Sequence, residues 1–277
     1  MKQVRLPSGE LVPALGQGTW YMGEDRSARQ AEVAALQIGL DLGLTLIDTA
    51  EMYAEGGAEE VVGEALAGRR EQAFVVSKVY PHNASRLGAI AACERSLKRL
   101  KTDCIDLYLL HWRGQHPLAE TVEAFEALQR VGKIRHWGVS NLDLDDMREL
   151  WDVPGGSACA ANQLLYNLGR RGIEWALLPW LRERGMVTMA YSPIEQARLL
   201  RQPGLKDFAR RHGVTPAQAA LAWLLGQEGM IAIPKSASVA HVRENAAAGG
   251  FTLEAVQRAE LDRLFLPPAG PSALDML

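Results

Sequence analysis

Eight short apolar runs alternate with stretches of helical periodicity along this chain of 277 residues, and this alternation constrains the fold more than any other feature. A regular alternation of strand and helix is typical of a parallel sheet covered by helices. Eight repeats is the count of a (β/α)8 barrel, which commonly forms from about 250 residues as one domain. The sequence therefore predicts an α/β fold, a (β/α)8 TIM barrel, with residues 1–277 as a single domain. The predicted strands are 14–19, 44–47, 74–77, 105–110, 134–139, 160–163, 186–190 and 230–233.

A doubly wound sheet is the alternative arrangement of the same elements. It usually carries a G-x-G-x-x-G turn after its first strand, because the glycines let the backbone approach a dinucleotide. Gly16 and Gly18 supply the first two glycines of that motif, but Tyr21 occupies the third position. The strand count therefore favours the barrel over the doubly wound sheet.

Local signals add further elements to the predicted barrel. Residues 4–12 are typical of an N-terminal β-hairpin, and residues 240–248 and 253–264 of extra C-terminal helices. The residue patterns beginning at Ser27 and Thr215 match capping boxes, in which a hydroxyl residue and a Glu or Gln three positions later satisfy the first backbone N–H groups of a helix. Each of these two residues is therefore predicted to start a helix.

Composition excludes several classes of function. The formal net charge is -3 and the sequence pI is about 6.1, which argues against nucleic acid as the main partner. No apolar run reaches the roughly 20 residues of a membrane span, and the N-terminus lacks the apolar core of a signal peptide. Cys93, Cys104 and Cys159 are scattered and odd in number, which favours buried thiols over disulfides. We expect a cytoplasmic monomer whose partner is a small molecule.

Polar residues follow the ends of the predicted strands. In a parallel barrel these ends meet at one face, where active sites are built. Each residue alone also fits a structural role, such as a surface lysine for Lys78, a loop histidine for His111 or a helix cap for Asp48. Their convergence on one face favours a functional site. The residues concerned are Thr19, Trp20, Asp48, Lys78, His111, Ser140, Asn141, Gln163, Tyr191, Ser192, Lys235 and Ser236.

The chemistry of this set indicates proton transfer. Tyr53 follows Asp48 by five residues, and its phenol has an ordinary pKa near 10. A lysine ammonium about 4 Å away stabilises a phenolate by up to about 4 kcal/mol, so Lys78 is expected to lower the pKa of Tyr53 towards neutrality. Asp48 can orient Lys78, and His111 can hydrogen-bond a substrate oxygen. Because the set holds no nucleophile, a hydride would have to come from a cofactor.

These motifs resemble those of the aldo-keto reductase family, and the resemblance runs from Val4 to about Leu264. It implies that Tyr53 is the general acid/base, that Lys78 and Asp48 tune it, and that His111 orients the substrate. The matching segments are Leu46-Ile47-Asp48-Thr49-Ala50-Glu51-Met52-Tyr53, Ser77-Lys78-Val79, Leu109-Leu110-His111-Trp112, Gly138-Val139-Ser140-Asn141 and Ile233-Pro234-Lys235-Ser236.

The resemblance also implies NADPH as the cofactor. Ser140, Asn141 and Gln163 would hold its carboxamide and Tyr191 would stack on the nicotinamide ring. At the other end of the cofactor, Lys235 and Ser236 would hold the adenosine phosphate and Asn245 the adenine. Many members have an arginine six residues after the lysine, where this chain has His241, so its grip on the 2′-phosphate is expected to be weaker. The other expected cofactor contacts are Gly18, Thr19, Trp20, Asp48, Ser192, Pro193, Ile194, Ile233 and Pro234.

The substrate is expected to be a small aldehyde. Residues 16–25 and 273–276 most resemble bacterial members that act on methylglyoxal. Trp20, Tyr80 and Trp112 lie next to motif residues and are expected, with His111, to wall the substrate pocket. The tail after Pro268 has few residues to fold over the mouth, so an open, permissive pocket is predicted.

Two other classes of function compete with the reductase. One is a regulatory subunit that binds the nicotinamide cofactor with little turnover, as in potassium-channel β subunits of this fold. The other is a metal-dependent barrel hydrolase, which would need clustered histidines and carboxylates at strand ends. The six histidines of this chain are scattered, so no metal site is predicted.

Overall fold

The computed structural model describes residues 2–277, and its central feature is a parallel sheet of eight strands that follow one another in chain order. Parallel strands joined by helices are expected when each crossover returns the chain to the same end of the sheet. All eight predicted strands are present. They are β3 (Gln17–Gly18), β4 (Leu46–Asp48), β5 (Phe74–Val79), β6 (Ile105–Leu110), β7 (Ile134–Ser140), β8 (Ala161–Leu165), β9 (Val187–Tyr191) and β10 (Met230–Ala232), with the hairpin strands β1 (Gln3–Arg5) and β2 (Leu11–Pro13) before them.

The first and last strands of the sheet meet and close it into a barrel. The N–H of Gly16 donates to the carbonyl of Ala232 at 2.9 Å, and the N–H of Gly18 to that of Pro234 at 3.0 Å. A Cβ on Gly16 would lie 2.7 Å from the carbonyl oxygen of Leu46 in the next strand, so only glycine fits this close approach. The predicted (β/α)8 barrel is confirmed, and it carries all strand C-termini to one face.

Within residues 2–277, ten helices surround the barrel, and several of them pack apolar side chains against its strands. Phe125 of the fourth helix, for example, packs its ring 5.5 Å from that of Tyr108 and 5.8 Å from that of Trp137, on two adjacent strands. The helices are α1 (Arg29–Asp41), α2 (Gly57–Ala65), α3 (Arg86–Leu100), α4 (Leu118–Arg130), α5 (Leu144–Asp152), α6 (Leu177–Glu183), α7 (Pro203–Arg211), α8 (Pro216–Leu225), α9 (Val239–Ala247) and α10 (Ala255–Leu264).

The predicted N-terminal hairpin lies at the face opposite the strand C-termini. Strands β1 and β2 pair antiparallel with Val4 opposite Val12. Glu10, in the hairpin turn, bonds Arg135 and His136 near the start of β7, at 2.7 Å each. Arg135 in turn bonds Asp106 of β6 at 2.8 Å. The hairpin is thereby fixed at the N-terminal ends of the strands, and the other face stays available for a site.

One of the two predicted capping boxes is present, and two helices, α1 and α7, begin differently from the sequence interpretation. The capping box at Thr215 is confirmed, since its hydroxyl accepts from the Gln218 N–H at 3.2 Å. The capping box at Ser27 is wrong, because its hydroxyl donates to the Asp25 carboxylate at 2.8 Å and α1 begins at Arg29 without a side-chain cap. Helix α7, which begins at Pro203, has no counterpart among the predicted elements.

Neither the thiols nor the helices contradict the expectations from composition. Cys93 and Cys159 are buried, Cys104 is half-buried, and all three are free thiols. Burial raises the pKa of the Cys93 and Cys159 thiols to about 12, which keeps both protonated. Within residues 2–277, every helix is too short or too polar to cross a membrane.

Candidate active site

A cavity of about 450 Å³ opens at the C-terminal face of the barrel. It brings together most of the residues that the sequence predicted for a site, from the ends of seven of the eight strands or from the loops that follow them. The predicted residues that line it are Gly18, Thr19, Trp20, Asp48, Tyr53, His111, Trp112, Ser140, Asn141, Gln163, Tyr191, Ser192, Pro193, Ile194, Ile233, Lys235, Ser236, His241 and Asn245.

Lys78 lies beneath the floor of this cavity and is completely buried. Its ammonium donates to the Asp48 carboxylate at 2.8 Å, to the carbonyl of Thr49 at 2.8 Å and to the Tyr53 hydroxyl at 3.2 Å. Three acceptors satisfy the three donors of an ammonium, so its charge is fully partnered without water. The Tyr53 hydroxyl is left with a lone pair and a proton for a group in the cavity.

The backbone of the loop directly after Tyr53 is strained. Ala54, Glu55 and Gly56 all have positive φ, at 50°, 52° and 93°. Such conformations cost non-glycine residues roughly 1–2 kcal/mol each, so other contacts must hold the loop in place.

Two buried carboxylates, both missed by the sequence interpretation, supply those contacts around Tyr53. Glu59 accepts from the Ser77 hydroxyl and from the Arg99 guanidinium, at 2.6 Å each. Glu51 accepts from the backbone N–H of Tyr80 at 2.8 Å. These partners lie on β5, just after β5 and on α3. They are distant in sequence from the two carboxylates, so the spacing of residues within one segment does not predict the contacts.

Burial dominates the titration of this cluster. Burial raises the pKa of the Tyr53 phenol above its ordinary value, and the opposing effect of Lys78 is smaller. The predicted lowering of the pKa of Tyr53 towards neutrality is therefore wrong, because desolvation outweighs the nearby cation. Burial tends to lower the pKa of Lys78, but the charges of Asp48 and Tyr53 outweigh it and the net shift is upward. Burial also raises the pKa of Asp48 and outweighs the lowering effect of Lys78, although the two donors that bond its oxygens favour the carboxylate form.

His111 faces the same floor as a neutral imidazole. Burial and the charge of Lys78 hold its pKa well below the ordinary value. Its ring lies 5.7 Å from the Tyr53 ring and 4.8 Å from the Trp112 ring, measured between centroids. Its Nδ1 has no hydrogen-bond partner among residues 2–277, although the side chain is buried. A neutral ring with a single N–H can donate one hydrogen bond into the cavity without carrying charge.

A second group of polar side chains lies beside the floor, at the ends of β7, β8 and β9. The Tyr191 hydroxyl donates to the side-chain amide oxygen of Asn141 at 2.9 Å, and the Ser140 hydroxyl donates to the backbone carbonyl of Gln163 at 2.9 Å. The Gln163 amide donates to Asp48 at 2.7 Å, so this group is bonded directly to the floor. The arrangement presents amide and hydroxyl groups next to one flat ring, that of Tyr191.

The far end of the cavity is basic and polar. Lys235, Ser236 and His241 line it together with the buried Asn245. Pro234 is placed differently, since its carbonyl accepts the barrel-closing bond from Gly18.

Two expectations about the substrate side do not match the structure. Tyr80 lies outside the cavity lining formed by residues 2–277, and its ring packs edge-on against Trp112 at 5.8 Å. Met276 and Leu277 line the cavity, so the expectation that the tail has too few residues to reach the mouth is wrong. Sequence reasoning also missed the lining residues Tyr21, Met52, Gln196, Ala197, Leu200, Ala217 and Glu244.

Comparison with known proteins agrees with this geometry. The family model described as the aldo/keto reductase family matches residues 14–265. Methylglyoxal reductase YeaE of Escherichia coli is 56% identical over 100% of this chain and 99% of its own length. Glyoxal reductase of Bacillus subtilis is 33% identical over 94% of this chain and 92% of its own.

Solved structures give the same result. The aldo/keto reductase of Klebsiella pneumoniae, crystallised with NADP and acetate, superposes with a TM-score of 0.97 at 53% identity, covering 100% of this chain and 99% of that one. The resemblance inferred from the motifs is thus confirmed: the chain belongs to the aldo/keto reductase family.

Proposed function

We propose that this chain reduces small aldehydes to alcohols with NADPH, and that 2-oxoaldehydes such as methylglyoxal are its preferred substrates. The observation that carries the proposal is the Tyr53 hydroxyl, bonded at 3.2 Å to the buried ammonium of Lys78 at the floor of the cavity. The similar proteins of E. coli and K. pneumoniae support it, the first named a methylglyoxal reductase and the second crystallised with NADP.

The cavity residues fit a nicotinamide cofactor. Amide and hydroxyl groups of Ser140, Asn141 and Gln163 match the donors and acceptors of a carboxamide, and the Tyr191 ring offers a flat apolar face. At the other end Lys235 supplies a cation for a phosphate, which binds ammonium groups through charge-assisted hydrogen bonds. When bound, NADPH supplies the hydride.

The chain itself supplies the proton. Tyr53 donates its hydroxyl proton to the carbonyl oxygen, and Lys78 stabilises the phenolate that remains. Asp48 holds Lys78 in place through the bond at 2.8 Å. The neutral His111 donates a hydrogen bond to the same carbonyl oxygen and so orients the substrate. Because the pKa of Tyr53 is raised, the hydroxyl keeps its proton until the carbonyl oxygen takes it.

The substrate end of the cavity favours compact, partly apolar carbonyls. Trp20, Met52, Trp112, Met276 and Leu277 line it, and their apolar surfaces leave little to hydrogen-bond a polyhydroxy chain. This supports a small aldehyde over an aldose. We also infer that the protein works in the cytoplasm, which the three free thiols support.

The direct test is to mix the purified protein with NADPH and a panel of aldehydes and to follow the absorbance of the reduced nicotinamide. We expect methylglyoxal-dependent oxidation of NADPH, with Tyr53→Phe as the inactive control. Tight NADPH binding without turnover of any aldehyde would instead indicate a regulatory, cofactor-binding protein.

A further inference from the structure

The segment 192–201 after β9 lies along the cavity in a strained conformation. Ser192, Glu195, Gln196 and Ala197 have positive φ, between 45° and 66°. Because such angles cost non-glycine residues roughly 1–2 kcal/mol each, this wall stays in place only if side-chain contacts hold it. Six of its residues line the cavity, so the contacts that hold the wall also shape the binding site; they are Ser192, Pro193, Ile194, Gln196, Ala197 and Leu200.

Glu195 provides those contacts. Its buried carboxylate accepts from Asn167 Nδ2 at 2.7 Å, from Arg170 Nε at 3.0 Å and from Arg198 Nη2 at 3.0 Å. Asn167 also donates to the Ser192 carbonyl at 3.0 Å, at the start of the segment. The wall is therefore fixed to the turn that follows β8, which carries Asn167 and Arg170.

Arg170 also reaches the tail. Its Nη1 donates to Asp275 Oδ1 at 3.4 Å, immediately before Met276 and Leu277, which line the cavity. Paired backbone bonds to Asn167, at 3.0 and 3.4 Å, fix the backbone of Arg170. One guanidinium thus bonds two separate walls of the cavity. Because the guanidinium is planar and rigid, it fixes the orientation of one wall relative to the other.

We propose that Arg170 is a positioning residue that couples the wall 192–201 to the tail, so that cofactor and aldehyde bind with positive cooperativity. The inference rests on the proposed function. A ligand that contacts either wall strengthens the bonds of Arg170 to Glu195 and Asp275, and the second ligand then meets a wall that is already held in position. Coupling of this kind is reciprocal, and it typically changes affinity by about fivefold or more.

The test measures the dissociation constant of NADP+ by quenching of tryptophan fluorescence, with and without a saturating concentration of propanal. Oxidised cofactor has no hydride to give, so no turnover occurs. Propanal also lacks the second carbonyl by which dicarbonyls modify arginine. We expect propanal to tighten NADP+ binding about fivefold or more in the wild type. The ratio should fall to near one in Arg170→Met and recover in part in Arg170→Lys.

Asp275→Ala removes only the tail side of the connection, since alanine has no acceptor for Arg170 Nη1, and leaves Glu195 fully bonded. It should abolish the cooperativity while NADP+ binding without propanal stays unchanged, and it keeps the test decisive if Arg170→Met does not fold. Arg69→Met is the matched control, because Arg69 pairs with Asp41 on the opposite face of the barrel. This variant should keep the wild-type ratio.

A wild-type ratio of one, an unchanged ratio in Arg170→Met and Asp275→Ala, or an equal loss in Arg69→Met would overturn the proposal. Turnover of propanal with NADPH by the wild type tests the proposed function separately. An active enzyme without cooperativity would contradict only the role of Arg170.

Discussion

The Nζ of Lys78 lies 3.2 Å from the hydroxyl oxygen of Tyr53, and the lysine side chain has no exposed surface. A fully buried cation against a phenol is costly to arrange, since each charge must be taken out of water and then partnered. Asp48 makes this possible by accepting from the same ammonium at 2.8 Å. The three residues act as one unit, and the first two predictions follow from that dependence.

Replacing Tyr53 by phenylalanine should remove reductase activity and leave cofactor affinity nearly unchanged. In the proposed reaction the hydroxyl supplies the proton, and general acid catalysis typically contributes about 100-fold to 10,000-fold. We expect kcat/KM for methylglyoxal to fall by at least about 100-fold, with the Kd for NADPH within about twofold of wild type. Turnover within tenfold of wild type would sink the assignment of Tyr53.

Replacing Lys78 by methionine should cost both activity and stability. The phenolate loses its cation, and Asp48 is left as an unpaired buried charge, which typically costs about 3–5 kcal/mol of the free energy of unfolding. Chemical denaturation of the variant measures that loss.

The double variant Lys78→Met/Asp48→Asn separates the two effects. Removing the unpaired charge should restore most of the stability, but activity should stay low because the phenol still lacks a cation. Recovery of activity together with stability would show that Lys78 acts only by supporting the fold.

The pH profile should report the raised pKa of Tyr53. Since burial holds that pKa above its ordinary value of about 10, the proton donor is present throughout the neutral range and is lost only as the pH rises through the raised pKa. The pKa of His111 is lowered, so the imidazole stays neutral over the same range. We expect kcat/KM for reduction to be flat from about pH 6 to about pH 9.

Oxidation of the alcohol product runs through the phenolate, so its rate should instead rise with pH. A reduction profile that declines around neutral pH would contradict the raised pKa, and would indicate that Lys78 outweighs burial in the working enzyme.

The positions of the proposed catalytic side chains were predictable because they depend on strand ends. Asp48, Lys78 and His111 each follow an apolar run, and a closed parallel barrel carries every such end to one face. Tyr53 could be assigned because it lies in the loop just past the end of β4. For these residues the spacing along the sequence carries the structural information.

The supporting contacts were not predictable, because their partners come from distant segments. Glu59 bonds Arg99, 40 residues away, and Arg170 bonds Asp275, 105 residues away. Tyr80 was predicted to wall the pocket because it lies two residues after Lys78. Its ring instead packs edge-on against Trp112, outside the cavity lining formed by residues 2–277. The direction of the phenol pKa shift also depends on burial, which is a property of the folded structure.

Lys235 is predicted to select NADPH over NADH. Its ammonium lines the far end of the cavity, and a charge-assisted bond to the 2′-phosphate is worth roughly 1.5–3 kcal/mol. Lys235→Met should therefore weaken NADPH binding by about 10-fold to 150-fold in a fluorescence titration, with NADH affinity barely changed.

Arg243 offers the matched control for Lys235. It is an exposed cation on α9, close in sequence to His241, and Arg243→Met should change neither affinity by more than about twofold. An equal loss for both cofactors in Lys235→Met would show that Lys235 does not read the phosphate.

The tail is predicted to set the size of the aldehyde. Met276 and Leu277 line the cavity together with the aromatic side chains of Trp20 and Trp112. Truncating its side chain should make room for a larger substrate, while a compact 2-oxoaldehyde gains nothing from the extra space. We expect Met276→Ala to raise kcat/KM for benzaldehyde relative to methylglyoxal by about 10-fold, the scale for a few methylene groups in an apolar pocket.

The measurement compares kcat/KM for methylglyoxal, propanal, an aldose and a bulky ketone in the wild type, then for methylglyoxal and benzaldehyde in the variant. Leu266→Ala is the control, because Leu266 is 77% exposed in the same C-terminal segment and should leave the ratio unchanged. If the aldose or the bulky ketone is the best wild-type substrate, the compact apolar pocket is wrong, although the reductase assignment stands. If Met276→Ala leaves the ratio of the two aldehydes unchanged, the tail does not limit the substrate, and the aromatic walls alone must set its size.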